Sequence, residues 1–323
     1  MKKPKILIVG SFVMDQIGTT TVFPREGQTV FGKDFYTAPG GKGANQAVQC
    51  ARLGADVTMV GKVGADANGQ TMLYSCRESG VNTDKVLIDP VYPTGCSMII
   101  LEEAEDGQRK NRILVLPGAN VTIQPEEIAF LEKEIGQYDM VILQLEIPIE
   151  INIQVAQYAR DNGVPVMLNS APSAPLPAEL LCCLTYISPN EHEAKDLTGV
   201  EIAHDNQLVD EVAVIKAANI LRAKGVDNVL ITLGSAGAAL VKEGAYCMSP
   251  AVKNVHAVDP TAAGDSFVGA FCVATCSGLN AEQAMCFANH TAALTVSRMG
   301  AMPSLPTIEE VRKTLPETLG GCI

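Results

Sequence analysis

The sequence has no tryptophan, and only 5% of its 323 residues are aromatic. Its four histidines are scattered, and none of its ten cysteines belongs to a C-x-x-C pair. That spacing excludes the usual ligand patterns of structural zinc. Several cysteines lie in apolar surroundings, as in FCVATC at 271–276. This favours buried free thiols and a reducing compartment.

Basic residues are also scarce, since 24 Lys and Arg face 36 Asp and Glu and the formal net charge is -12. A protein that binds the phosphate backbone of nucleic acid needs a basic face, so the charge balance argues against nucleic-acid binding. An anionic substrate such as a nucleotide can still be bound locally, through backbone N–H groups and a metal ion.

Long apolar runs are absent, and no stretch approaches the roughly 20 apolar residues that span a bilayer. The run ILIV at 6–9 follows two N-terminal lysines but is too short for the core of a signal peptide. We therefore expect a cytoplasmic protein that does not bind a membrane, with a buried first strand after a basic tail.

Short apolar runs recur at spacings that suit a parallel sheet, at 5–10, 57–61, 140–145, 164–169 and 228–234. Helical patterns that end at a glycine lie between them, at 45–53, 151–162 and 210–224. This order predicts an α/β fold, in which helices cover both faces of a central, mostly parallel sheet. Ligand sites of such sheets lie beyond the carboxyl ends of the strands.

Two segments, 12–38 and 92–118, lack a helical period and read as short strands and turns. The sequence EDGQRK at 105–110 is a hairpin-like turn between two apolar runs. We expect a single domain over 1–323, into which both segments insert as a small β-sheet lid.

The segment VDPTAAGDSFVGAF at 258–271 is the strongest candidate for chemistry. Pro260 and Gly264 argue against helix before Asp265, and the apolar pattern predicts helix after it. The small residues Ala262, Ala263 and Gly264 would leave N–H groups free to hold anionic oxygens. Asp265 could accept the proton of a substrate hydroxyl. Alternatively, Asp265 only stabilises the start of the helix.

A second candidate is PGGKGANQ at 39–46, which fits neither the P-loop nor the dinucleotide pattern. Its glycines permit close approach of the backbone to a ligand. Asn45 offers a donor and an acceptor to a hydroxyl, and Lys42 could meet a phosphate or a hydroxyl. The alternative is a tight turn before a helix that starts at Ala44.

The third candidate is PNEHE at 189–193, directly after a predicted strand. Asn190 and Glu193 would share one face of a helical turn and could organise the water shell of Mg²⁺. The alternative is an ordinary helix cap with a capping-box glutamate.

The fourth candidate, TLGSAG at 232–237, is a glycine-rich turn after the strand NVLI. Such a turn can approach phosphates. Taken alone it is a weak indication, because glycines are common where strands end.

Together these segments resemble the ribokinase family of carbohydrate kinases. The first signature of that family is similar to GGKGANQAVQCARLGADVTMVGKVG, and the second is similar to VDPTAAGDSFVGAF. The likeness extends from about Lys5 to Pro306, with QLE, PNEHEA and TLGSAG in the family's order. It implies a ribokinase-like fold and ATP-dependent phosphorylation of the primary hydroxyl of D-ribose or a related pentose.

The resemblance also implies roles for individual residues. The catalytic base of the family corresponds to Asp265. The family's anion hole corresponds to Ala262, Ala263 and Gly264. The sugar contacts match Val13, Asp15, Gly41, Lys42, Gly43, Asn45, Glu146 and Asp265. The residues for Mg²⁺, phosphate and nucleotide match Asn190, Glu193, Thr232, Gly234, Ser235, Gly237, Gly264 and Asn289. A K⁺-type site, formed mostly by backbone carbonyls, matches Asp259, Thr261, Thr295, Arg298, Gly300 and Ser304. A homodimer through the lid is implied as well.

One position departs from the family pattern. Val13 stands where ribokinases usually have an asparagine that contacts the sugar, and an apolar residue there also resembles deoxyribokinases. Deoxyribose or another pentose therefore stays open beside D-ribose. A nucleoside kinase is a further alternative, although Glu146 matches a contact to the free anomeric hydroxyl. A non-catalytic sugar-binding regulator is disfavoured, because the base and the anion hole are intact.

Overall fold

A nine-stranded sheet is the centre of the fold in the computed structural model, which describes residues 3–103, 109–205 and 208–316. The strands of the described chain are β1 (Lys5–Val9), β2 (Val13–Thr20), β3 (Asp34–Gly40), β4 (Asp56–Val60), β5 (Lys62–Gly64), β6 (Val81–Asn82), β7 (Leu87–Asp89), β8 (Gly95–Glu103), β9 (Arg109–Leu116), β10 (Met140–Leu143), β11 (Val166–Asn169), β12 (Tyr186–Ser188), β13 (His204–Asp205), β14 (Leu208–Val209), β15 (Asn228–Thr232), β16 (Ala238–Lys242) and β17 (Ala245–Ser249). The α-helices are α1 (Lys42–Arg52), α2 (Ala67–Glu78), α3 (Leu131–Glu134), α4 (Ile149–Asp161), α5 (Ala178–Leu181), α6 (Glu191–Thr198), α7 (Glu211–Ala223), α8 (Ala263–Cys276), α9 (Ala281–Val296) and α10 (Ile308–Arg312). Short 3₁₀ helices lie at Gly118–Thr122, Pro125–Ile128, Ile135–Gln137, Gly234–Ala236 and Met302–Ser304.

The strand order of the central sheet is β17-β16-β15-β12-β11-β10-β1-β4-β6. Neighbouring strands from β6 to β15 are parallel, whereas β16 and β17 pair antiparallel at one edge. The five predicted strand runs correspond to β1, β4, β10, β11 and β15. The prediction of a mostly parallel sheet is confirmed.

Helices cover both faces of this sheet. In β1, Ile6 and Ile8 pack into one apolar cluster, while Leu7 and Val9 pack into the other. The first cluster also contains residues of α1, α2, α8, α9 and α10, and the second contains residues of α3 to α7. Successive residues of a strand point to opposite faces, which is why a continuous apolar run suits a sheet that is buried on both sides.

The remaining long strands form a separate small sheet in the order β3-β2-β8-β9. Strands β2 and β8 are parallel, and β3 and β9 pair antiparallel on the outer edges. We call this sheet the lid. The predicted extra sheet is confirmed, while residues 104–108, which make up most of the predicted turn at 105–110, lie outside the described residues.

Helix α8 begins at Ala263, so the prediction that helix starts only after Asp265 is wrong. Ala262 is the N-cap, and its φ of 60° turns the chain into the helix in the left-handed region. Gly264 is tolerated in the first turn, because glycine costs a helix only about 0.5–1 kcal/mol relative to alanine.

Candidate active site

A cavity of about 200 Å³ lies at the carboxyl ends of the central strands, where a site was expected. It is lined by Lys42, Asn169, Ala171, Ser188, Asn190, Glu193, Thr232, Pro260, Ala262, Gly264, Asp265 and Val268. All four candidate segments therefore contribute to one cavity. A larger space of about 490 Å³ lies between residues 173–176 and α7, and it contains none of those segments.

The carboxylate of Asp265 is held at this cavity by two side chains of α1. Asn45 donates through Nδ2 to Oδ2 over 3.0 Å, and Gln46 donates through Nε2 to Oδ1 over 2.9 Å. Asp265 itself is only 6% exposed. Both carboxylate oxygens are therefore held in a fixed orientation. Each keeps a lone pair that could accept a proton from a substrate.

The start of α8 presents free backbone donors beside this carboxylate. The N–H groups of Gly264 and Asp265 have no acceptor within the described part of the chain, whereas the N–H of Ala263 lies 3.2 Å from the carbonyl of Pro260. A Cβ built on Gly264 would meet no atom within 4 Å. Unpaired first-turn amides next to open space are suited to hold an anion.

Lys42 brings a positive charge to the same cavity. Burial lowers the pKa of its ammonium group, but the carboxylates of Asp265, Glu146 and Glu193 outweigh burial and raise the pKa above its ordinary value. The side chain therefore stays cationic at neutral pH. It is suited to offset the charge of a bound phosphate.

Asn190 and Glu193 form the capping box of α6. The Glu193 carboxylate accepts from the N–H and from Nδ2 of Asn190, each over 3.0 Å, while Asn190 Oδ1 accepts from the N–H of Glu193 over 2.8 Å. The structural alternative for this motif is thus present, yet both side chains also line the cavity. Burial is the main reason why the pKa of Glu193 is raised.

The turn after β15 lies against that capping box. The N–H of Thr232 donates to the carbonyl of Pro189 over 3.0 Å, and Thr232 pairs with Asn190 as an isolated parallel bridge. Of the predicted nucleotide residues in this turn, Thr232 lines the cavity and Gly234 and Ser235 are exposed beyond it.

Gly237 and Asn289 both contact the segment that follows β17. A Cβ on Gly237 would lie 2.1 Å from the carbonyl oxygen of Ser249, and the φ of Gly237 is 103°, so only glycine fits there. Asn289 uses Nδ2 to bind the carbonyls of Ser249 and Pro250, over 3.1 and 3.0 Å. Neither residue lines the 200 Å³ cavity, and their predicted nucleotide contact stays a prediction.

The predicted sugar residues meet between the lid and α1. Glu146 accepts through Oε2 from the hydroxyl of Ser11 over 2.5 Å and from the N–H of Lys42 over 3.0 Å. On β2, Asp15 accepts from the hydroxyl of Ser97 over 2.5 Å. Burial raises the pKa of Asp15, the bond from Ser97 lowers it, and the charges of Glu146 and Asp259 raise it further.

Glycines allow this close packing of the 39–43 turn. Gly41 has a φ of 89°, and a Cβ there would lie 2.6 Å from the nitrogen of Val13. A Cβ on Gly43 would lie 2.4 Å from the nitrogen of Ser11. Val13 is 5% exposed, so the residue that departs from the family pattern is buried at the base of the lid.

The residues predicted for a monovalent cation lie on the loop before α8 and in the segment from the end of α9 to the 3₁₀ helix Met302–Ser304. Asp259 accepts through Oδ1 from the N–H of Thr261 and through Oδ2 from the N–H of Gly300, each over 2.9 Å. The Arg298 guanidinium is paired with Glu310 at 2.7 Å. Because a guanidinium is positively charged and has no acceptor, only the backbone carbonyl of Arg298 could bind a cation.

The hydroxyl groups of the remaining two predicted cation ligands have protein partners as well. Thr295 Oγ1 lies 2.7 Å from Ser266 Oγ, and the Ser304 hydroxyl donates to the carbonyl of Ala301 over 2.7 Å. These hydroxyl groups already have protein partners, and coordination of a cation mostly by backbone carbonyls stays a prediction.

Sequence reasoning missed several residues of this site, among them Ser11, Gln46, Asn169 and Ser188. Each of them reaches its partner or the cavity only because folding brings distant segments of the chain together. None of them had a signal in the sequence, since the helical period places Gln46 away from the apolar residues Ala44, Ala47 and Val48 of α1.

Three comparisons with known proteins agree with this geometry. The pfkB family carbohydrate kinase description matches residues 3–308. Ribokinase from Bacillus subtilis (strain 168) is 39% identical over 312 residues, which are 96% of this chain and 99% of that protein. Deoxyribokinase from Salmonella typhi is 32% identical over 311 residues, covering 96% and 98%. The solved structure of Arabidopsis thaliana ribokinase complexed with ribose and ATP has a TM-score of 0.86 and 34% identity, covering 96% and 98%.

The cavity, its carboxylate and the unpaired amides of α8 have the chemistry that phosphoryl transfer to an alcohol requires. The chain belongs to the pfkB family of carbohydrate kinases. The family predicted from the two signatures, and with it a sugar kinase, is confirmed.

Proposed function

We propose that this protein transfers the terminal phosphoryl group of ATP to the 5-hydroxyl of D-ribose and produces the 5-phosphate and ADP. The observation that carries the proposal is the position of Asp265. Its carboxylate lies at a polar cavity beside the unpaired N–H groups of Gly264 and Asp265. The relatives support D-ribose as acceptor, because one of them was solved with ribose and ATP.

In this mechanism, Asp265 accepts the proton of the primary hydroxyl as the hydroxyl oxygen attacks phosphorus. The amides at the start of α8 and the Lys42 ammonium stabilise the charge on the transferred group. The lid places Asp15 over the sugar, and its closure would exclude water that could otherwise accept the phosphoryl group.

The chain offers oxygen ligands for the expected cations. The carboxylates of Glu193 and Asp265 and the amide of Asn190 surround one cavity, which fits Mg²⁺ held through few protein oxygens. No cluster of three or more His, Cys, Asp or Glu within 3–103, 109–205 and 208–316 could hold a metal ion by itself. When bound, Mg²⁺ would neutralise phosphate charge. K⁺ would be held by backbone oxygens of the 259–261 and 298–304 loops.

A panel of alcohols tests the activity most directly. D-ribose, 2-deoxyribose, adenosine and cytidine would each be offered with ATP and Mg²⁺, with and without K⁺, and ADP would be measured. The highest kcat/KM is expected for ribose, together with stimulation by K⁺. Phosphorylation of a nucleoside in preference to either free sugar would contradict the proposal.

2-Deoxyribose is the second candidate acceptor, because Val13 is apolar at a position where the resemblance to the ribokinase family implies a sugar-contacting asparagine. A lost hydrogen bond to a sugar hydroxyl changes discrimination by roughly 1–3 kcal/mol. Val13→Asn should therefore raise the ratio of kcat/KM for ribose to that for deoxyribose by about tenfold. An unchanged ratio would show that Val13 does not face the 2-position.

We also propose a homodimer formed through the lid. Its outer strand β9 exposes four consecutive apolar residues, of which Leu114 is 57% exposed. An edge strand with apolar side chains on both faces is a liability unless another surface covers it.

Two further proposals concern organisation and location. We propose that the chain is one domain, into which the lid segments insert. The nine cysteines of the described residues are free thiols, which supports a reducing, cytoplasmic location. No helix in the described ranges is long and apolar enough to span a membrane.

A further inference from the structure

A row of buried amide side chains lies behind the carboxylate of Asp265. Gln46 and Gln144 are fully buried, and Asn169 is 7% exposed. Gln46 Nε2 donates to Asp265 Oδ1 over 2.9 Å and to Asn169 Oδ1 over 3.2 Å, while Gln46 Oε1 accepts from Gln144 Nε2 over 2.6 Å. The side chain of Gln46 thus uses both of its N–H donors and its oxygen.

The orientation of these amide groups is set by two neighbouring groups that can only accept hydrogen bonds. Asn169 Nδ2 donates to the backbone carbonyl of Ser188 over 3.1 Å, so Asn169 must turn its oxygen toward Gln46. Gln46 must then present its NH₂ group to both Asn169 and the carboxylate. The Ser188 carbonyl at one end and the Asp265 carboxylate at the other therefore fix the orientation of the amides between them. A flipped Gln46 amide would point its oxygen at the oxygens of Asn169 and Asp265.

Asn45 differs from Gln46 in this respect. It donates to the other oxygen of Asp265, but its own Oδ1 is buried without a partner in the described part of the chain. A buried acceptor without a partner costs free energy unless a ligand satisfies it. The substrate hydroxyls are therefore expected on the side of Asn45 and Oδ2, rather than on the side of Gln46 and Oδ1.

We infer that Gln46 is a positioning residue that locks Oδ1 of Asp265, so that Oδ2 receives the substrate proton. The inference rests on the proposed function. In the step, the hydroxyl proton moves to Oδ2, the hydroxyl oxygen forms a bond to the terminal phosphorus, and the bond from phosphorus to ADP breaks with its electron pair on ADP. Without Gln46, the carboxylate rotates about its Cβ–Cγ bond, and fewer complexes are aligned for reaction.

The test is Gln46→Met, which keeps an unbranched chain but donates no hydrogen bond. We expect kcat to fall about 10–100-fold, while KM for sugar and for ATP changes less than about threefold, because alignment is lost and not binding. Gln49→Met is the matched control. Gln49 is also fully buried on α1, but its amide binds the Pro306 carbonyl and the Ser266 hydroxyl. Gln49→Met should lower the melting temperature about as much as Gln46→Met does. Its kcat should stay within about threefold of the wild-type value.

A double substitution separates positioning from a general loss of structure. Residues that act through one group are non-additive. In an Asp265→Asn background, Gln46→Met should cost no more than about twofold in kcat. A further tenfold loss there, or a Gln46→Met enzyme with the kcat of the wild type, would overturn the inference.

Should Gln46→Met fail to fold, Gln46→Asn serves instead. It keeps a buried amide but withdraws it from Asp265 by one C–C bond, and it should show the same fall in kcat at constant KM. All variants are measured on the acceptor that the wild type uses best. A wild type inactive on every alcohol in the panel would overturn the proposed function itself, whereas an active wild type with unaffected Gln46 variants would overturn this inference alone.

Discussion

Asn45 Nδ2 lies 3.0 Å from Asp265 Oδ2, although 220 positions separate the two residues in the chain. This hydrogen bond joins α1, which follows the lid strand β3, to the start of α8. The two sequence signatures therefore meet at a single carboxylate. In the proposed mechanism, a residue that contacts the acceptor and the base that takes its proton would be joined by this hydrogen bond.

Asp265→Asn should remove turnover and keep the fold. The substituted amide is the same size but cannot take a proton, so we expect kcat to fall roughly 10²–10⁴-fold. KM for both substrates should change less than about threefold. Initial rates and a thermal melt would check this, and retention of a tenth of the wild-type kcat would contradict the role of Asp265 as base.

Gly264→Ala should lower the activity without lowering the stability of the fold. The added methyl meets no protein atom within 4 Å, and alanine favours a helix over glycine by about 0.5–1 kcal/mol. The melting temperature should therefore rise or stay unchanged. Because the methyl enters the space beside the free amides, kcat should fall by roughly 10²-fold. A large drop in melting temperature would indicate instead that the backbone at 264 cannot accept a side chain.

Asp15→Asn should stabilise the protein at neutral pH and weaken sugar binding. Since the pKa of Asp15 is raised above its usual 3.8 by burial, the folded state holds the proton more tightly than the unfolded chain. The free energy of unfolding therefore decreases as the pH rises from 3.8 through the raised pKa. The variant should melt roughly 1–3 °C higher at pH 7.

That gain should shrink as the pH falls through the raised pKa and vanish below 3.8, where Asp15 becomes protonated in both states. KM for the sugar should rise at least about tenfold, because a charged acceptor is lost. Melting curves of both proteins across this pH range would check the sign. A variant that melts lower than the wild type at every pH would refute it.

Leu114→Glu should weaken the lid-mediated dimer. A carboxylate buried in an apolar interface is costly, so the dissociation constant of the dimer should rise at least about tenfold. Val212→Glu is the control, since Val212 is 78% exposed on α7, away from the lid. Sedimentation of the three proteins would measure the change. A wild type that stays monomeric at tens of micromolar would rule the interface out.

The sequence predicted most of the sheet and the meeting of the four segments, and the reason is local. Apolar runs such as Lys5–Val9 and the glycine that ends each helix depend only on neighbours in the chain. The start of α8 was misjudged because Ala262 adopts a φ of 60°, which no local pattern of alanines indicates.

The amide row behind Asp265 could not be predicted for a different reason. Gln46, Gln144 and Asn169 are ordinary polar residues in the sequence, and each joins the row through a partner at least 98 positions away. Polar residues are usually exposed, so a pattern of residue types favours the surface for them. Only the coordinates show that they are buried and paired.

The lid and the body both contribute residues to the proposed site. Val13 and Asp15 belong to β2, whereas Asp265, Glu193 and Thr232 belong to the body. In the proposed mechanism, exchanges of residues on the small sheet would therefore alter part of the acceptor contacts and leave the groups proposed for phosphoryl transfer unchanged. Such separability gives evolution a route from one sugar to another without passing through an inactive enzyme.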